Sequence, residues 1–156
     1  MDFSWILVFQ IIETAALIAA VFVARFAIKK QRETVKKDKT ITLLMNNLED
    51  KLLIDGIQLL LKIHLDEDDD VAIYANKSHK KDEEFIAIRN LLNYYENVAI
   101  GAKADIYDIG MIKKAQKTMI SHIFSQSKPF IDKSRKADNN PNLYIEFEDF
   151  IQILAD

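Results

Sequence analysis

Hydrophobic positions fall into two patterns along the chain. Residues 3–24 are almost continuously apolar, broken only by Ser4, Gln10, Glu13 and Thr14. From residue 40 onward the apolar positions recur every three or four residues, the period of a helix with one buried face. Leu52, Leu53, Ile57, Leu60 and Ile63 mark one such face. Phe85, Ile88, Leu92, Tyr95 and Ala99 mark a second, which Leu91, Tyr94 and Val98 widen. Ile112, Met119, Ile120, Ile123 and Phe124 mark a third, and "LYIEFEDFIQILA" a last one. The expected class is all-α: one N-terminal transmembrane helix and a bundle of about four to six further helices.

The breaks in the pattern place the boundaries. No Gly or Pro occurs before Gly56, so the first helix is expected to leave the apolar segment unbroken and run to about Lys37. Acids favour the first turn of a helix, so "DEDDD" at 66–70 is expected to open one over "VAIYANK". Asp82, Glu83 and Glu84 open the next. Gly101 lies near its end, and Asp105 or Asp108 is placed to cap its successor. Pro129 is expected to kink or restart that helix, and Pro141 to stand near the start of the last.

Trp5–Ala24 has the 20 residues needed to cross ~30 Å of hydrocarbon. Eleven of them are Ile, Leu, Val or Phe, together contributing about −3 to −7 kcal/mol to insertion. A charged carboxylate at mid-span opposes this by about 2.5–3.5 kcal/mol, so the balance still favours insertion. A cleaved signal peptide begins with a basic region, whereas this chain begins "MDFSW" and its basic residues follow the apolar segment.

Charge then sets the direction. Between Arg25 and Lys39 seven basic residues face two acidic ones, while residues 40–156 carry 14 basic and 20 acidic residues. The basic flank stays in the cytoplasm. The expected topology has residues 1–4 outside the membrane, residues 5–24 as the span, residues 25–39 as a basic juxtamembrane helix, and residues 40–156 as a cytoplasmic helical domain. Arg25, Lys29, Lys30 and Arg32 are expected to meet anionic lipid headgroups. The acidic domain argues against nucleic acid as a partner.

On a helical wheel Gln10, Ala16, Ala20 and Ala24 fall within about 60° of Glu13. An amide, an acid and small residues on one face suit helix–helix association in a membrane, so a homo-oligomer is expected.

No set of catalytic residues stands out. Cysteine is absent, which removes disulfides and thiolate chemistry. His64, His79 and His122 have no helical-spacing partner for a metal site. There is no phosphate-binding glycine loop and no hydrolase signature. The expectation is no enzyme, no cofactor and no metal. Arg89, Asn93 and Glu96 share one helix face. They read either as a polar site in a cleft or as a structural network fixing helix register, and the second is preferred.

The segments "LLNYYENVAIGAKADIYD", "PFIDKSR" and "NLYIEFEDF" resemble a family of small bacterial and phage proteins known as a domain of unknown function. Its members combine one N-terminal transmembrane helix, a basic junction and a helical cytoplasmic domain. The most specific element is Asn93-Tyr94-Tyr95-Glu96 followed by Gly101. The resemblance implies that Glu96 pairs with Arg135 across two helices, and it implies no enzymatic activity. The leading expectation is a membrane-tethered interaction module that binds a protein partner the sequence does not identify. A membrane effector that conducts ions or disrupts the bilayer is the alternative, and a membrane-surface enzyme is the least supported reading.

Overall fold

The computed structural model describes residues 3–47, 49–66 and 69–156. Met1 and Asp2 of the expected outer segment, and Glu67 and Asp68 of the acidic run, lie outside the described residues. Five α-helices are present among the described residues: α1 Phe3–Asn46, α2 Lys51–Leu65, α3 Glu83–Lys103, α4 Ile109–Ala137 and α5 Ile145–Ala155. No strand occurs among them. The chain divides into two compact units, Met1–Asp38 and Lys39–Asp156.

The first unit is the greater part of α1. Its apolar side chains are exposed, with Phe9 at 64%, Leu17 at 69% and Phe22 at 68% of their full surface. The helix from Trp5 is long and apolar enough to cross a membrane, and none of its most apolar stretch is buried within the protein. A core helix of comparable hydrophobicity would be covered by its neighbours.

The second unit is built around α3. Phe85, Ile88, Leu91, Leu92, Tyr95, Val98, Ala99 and Ala102 are all buried. Ile86, Arg89, Asn93, Asn97 and Ile100 form the exposed stripe opposite. The helix packs against α2 and α5, and α4 packs against both of these. Gly56 explains itself in this arrangement. A Cβ there would come within 3.1 Å of the Ala87 carbonyl oxygen and of Leu91 Cβ, so its absence lets α2 and α3 approach closely.

Two boundaries differ from the sequence expectation, the end of α1 and the segment after the acids. Helix α1 ends at Asn46 rather than near Lys37, because its last turns are part of the core. Thr40 is fully buried there, and its hydroxyl accepts a 2.8 Å hydrogen bond from the Asp108 N–H. After the acids, "VAIYANK" forms only two short 3₁₀ turns, Ile73–Ala75 and Lys77–His79. Asp70 takes the Ala72 N–H, Tyr74 donates to Asp69, and Asn76 turns extended before a helix can propagate. Helix α4 passes through Pro129 without restarting. Pro129 and Ser125, whose carbonyl the ring leaves unbonded, both occupy exposed positions, while Phe130 and Ile131 next to them are buried. Pro141 precedes α5 by a turn, and α5 begins after Tyr144, which is left-handed at φ 58°. The Asp82 opening of α3 and the Asp108 cap of α4 match the expectation, and Asp108 Oδ1 accepts from the Met111 N–H.

Candidate functional site

The residues singled out by the sequence lie in both units. In the first, Gln10, Glu13, Ala16, Ala20 and Ala24 are exposed on α1, as are Arg25, Lys29, Lys30 and Arg32. Thr14 returns its hydroxyl to the Gln10 carbonyl at 2.8 Å, which satisfies that hydroxyl within the helix itself. Glu13 has no such local partner among the described residues. An acid exposed on an apolar helix needs a neighbour, a proton or water once hydrocarbon surrounds it.

In the second unit the polar cluster forms where α3, α4 and α5 meet. Tyr144 occupies the N-cap of α5 in a left-handed conformation and has no side-chain oxygen placed to cap the helix. Glu96 supplies the cap from α3. One of its carboxylate oxygens accepts from the Phe147 N–H at 2.7 Å and the other from the Glu146 N–H at 3.3 Å. A carboxylate suits this position because unpaired N–H groups and the helix dipole both favour negative charge.

Arg135 reaches the same helix from α4. Its Nε donates to the Leu143 carbonyl at 2.9 Å. Its Nη2 stands 2.8 Å from Glu148 Oε2 and makes no aligned hydrogen bond among the described residues, so that contact is an ion pair. Lys128 adds a looser pair with Glu148 at 3.6 Å. Glu96 and Arg135 therefore converge on the start of α5 but are each joined to α5 rather than to one another. Arg89 and Asn93 stay on the exposed stripe of α3.

Two features of this unit were not visible in the sequence. Lys103 bridges α3 to α5 through Glu146 at 2.5 Å and Asp149 at 2.8 Å; these carboxylates, Asp149 first, raise its ammonium pKa. Asn47 is buried just beyond α1, accepts from the Tyr94 hydroxyl and donates to Gln116 Oε1 at 3.2 Å. It thus ties three helices through one amide. The only sequence signal for either would have been polar residues beside apolar stripes, which is common in any helical protein.

Gly101 has a definite role. The Tyr107 ring occupies the space its Cβ would need. The Gly101 carbonyl also accepts from the Ile106 N–H at 2.9 Å, closing the α3–α4 turn. Of the most specific sequence element, Tyr94, Tyr95, Glu96 and Gly101 hold α3 to Asn47, to α5 and to the following turn, while Asn93 is exposed.

Because Glu96 spends both oxygens on α5, its removal tests whether the cluster is structural. Glu96→Ala is expected to destabilise the domain by about 1–3 kcal/mol, with Glu96→Gln costing less because it keeps one acceptor. Chemical denaturation of the full chain in non-ionic detergent measures both. Equal stability for Glu96→Ala and the native chain would remove the capping role.

Among the described residues no three His, Asp or Glu side chains gather as metal ligands. No curated protein and no solved structure matches the chain. The pattern of a domain of unknown function, DUF4760, matches residues 11–152, so the match takes in most of the apolar helix and nearly all of the helical domain, and the chain belongs to that family.

Proposed function

We propose that this protein is a single-span, membrane-tethered interaction module. Its N-terminus faces out of a bacterial inner membrane, its helical domain lies in the cytoplasm, and copies associate through the span. The observation that carries this reading is the apolar part of α1, exposed along its length and followed by a basic run. Apolar surface of that extent requires a partner, and the basic flank favours lipid with this orientation. The helical domain then awaits a protein partner close to the membrane surface.

Glu13 and Gln10 favour a second reading, a membrane effector in which assembled spans pass ions. Both readings require helices to meet through the Glu13 face. The chain has no cysteine, so single cysteines can report on that face directly. Oxidation in native membranes is expected to cross-link Ala20→Cys and not Phe22→Cys, which lies on the opposite side of the helix. A monomer at every span position would sink both readings. A membrane-potential dye separates them: depolarisation that needs Glu13 and is lost in Glu13→Ala identifies the effector. An interaction module leaves the potential unchanged in both forms.

A further inference from the structure

The helical domain holds a groove between α2 and α4 that differs from the rest of its surface. An inner cavity of about 420 Å³ is lined by Leu53, Ile54, Ile57, Tyr95 and Met119, with the amides of Asn47, Gln58 and Gln116 also on its wall. An outer cleft of about 480 Å³ continues it past Leu61 to Lys113, Lys114 and Lys117. The two share Ile57, Ala115, Gln116 and Met119 as a common wall. Each volume falls within the ~300–1,000 Å³ range of ligand pockets.

Three observations narrow the occupant. The inner cavity reaches Tyr95 and Leu53, which are almost wholly buried at 1% and 4% exposure. A narrow chain can enter that far, whereas a partner helix of ~10 Å diameter would rest on the rim. Two of the cavity's three amides are already used, since Asn47 and Gln116 bond each other and Tyr94 bonds Asn47. The third amide on the wall, Gln58, is solvent-exposed and keeps its water, so an apolar tail need not strip it. Finally, neither the cavity nor the cleft is lined by an Asp or Glu, although acids outnumber bases in this domain. Lys113 and Lys114 leave the outer mouth positive. Lys117 is partly engaged, donating to the Ala155 carbonyl at 3.2 Å.

We infer that this groove binds a single-chain anionic amphiphile, with its acyl tail in the cavity lined by Leu53, Ile57 and Tyr95 and its head at Lys113 and Lys114. The head is a carboxylate or a phosphate. The groove lies wholly within the helical domain, so its occupancy does not depend on how the spans associate.

The test uses the full chain in phosphatidylcholine nanodiscs, with oleate, lysophosphatidylglycerol and lysophosphatidylcholine as probes and native mass spectrometry to count bound molecules. One equivalent of oleate or of lysophosphatidylglycerol is expected, and the preferred one identifies the head. Binding of lysophosphatidylcholine is expected to be at least about tenfold weaker, and reversal of both lysines (Lys113→Glu, Lys114→Glu) to weaken anionic binding by about tenfold. Ala115 is exposed at the junction of the two cavities, so Ala115→Phe is expected to abolish binding without moving the melting temperature. Equal uptake of the zwitterionic probe, indifference to Ala115→Phe, or no uptake of any probe would each overturn the proposal. So would a groove that ignores all three probes and binds an acidic amphipathic peptide instead.

Discussion

Phe147→Ala is expected to destabilise the helical domain by about 3–5 kcal/mol, the usual cost of deleting a fully buried ring. Phe147 has no exposed surface. Its ring stacks on Tyr95 with centroids 5.3 Å apart and meets the edge of Phe124 at 5.1 Å. Its backbone N–H is the one held most tightly by Glu96. The substitution therefore opens a cavity at the junction of α3, α4 and α5 and loosens the cap of α5 together with it. Urea denaturation of the full chain in non-ionic detergent, followed by far-ultraviolet circular dichroism, measures the loss. A change below about 1 kcal/mol would mean that α5 contributes little to the core. Phe147→Leu keeps most of the volume and is expected to cost much less.

Alkaline pH is expected to weaken the same domain by about 5 kcal/mol between about pH 10 and pH 12. Burial pushes the Tyr144 phenol up to about 12, with Glu96 and Asp138 adding to the effect against Arg89. Burial raises Tyr95 further, helped by Tyr94. An unfolded tyrosine ionises near pH 10. Below that value both states hold the proton and the stability is fully present. Above it the unfolded chain releases protons that the native chain retains, so stability falls as pH rises towards the folded values. Tyr95 and Tyr144 are 1% and 5% exposed, so together they contribute a slope of about −2.7 kcal/mol per pH unit. Over those two units the loss is about 5 kcal/mol, the lower end of an ordinary domain stability of about 5–15 kcal/mol. Phenolate absorbance at 295 nm should rise together with loss of helix. Complete ionisation of all tyrosines with the helices intact would contradict the burial of Tyr95 and Tyr144.

Periodicity made most of the helical domain legible. The stripe from Phe85 to Ala99 is the buried face of α3, and Asp108 caps α4 as its position suggested. The apolar start of α1 was equally plain, because few soluble helices lack a charged face over 20 residues. What escaped the sequence depended on distant contacts. Thr40 and Asn47 extend the core past the expected end of the first helix, but their partners are 68 and 69 residues away. The Glu96–Arg135 pairing implied by resemblance is not formed, since each residue is joined to the start of α5 instead. The start of α5 leaves the Glu146 and Phe147 N–H groups without helical partners, and Glu96 takes them from 50 and 51 residues away, a separation no spacing rule bridges. The acids before Val71 suggested a helix that local side-chain bonds from Asp69 and Asp70 and the extended Asn76 prevent. For the span face, sequence and structure agree only that Gln10, Glu13 and the alanines are exposed.

The central claim is that residues 5–24 cross a membrane with the helical domain inside. The absence of native cysteine allows a direct measurement: single cysteines at Ser4 and at Ala155, probed in intact cells with a membrane-impermeant maleimide. Labelling of Ser4→Cys in intact cells, and of Ala155→Cys only after lysis, is the predicted result. Labelling of Ala155→Cys in intact cells, or recovery of the chain in the soluble fraction, would contradict it.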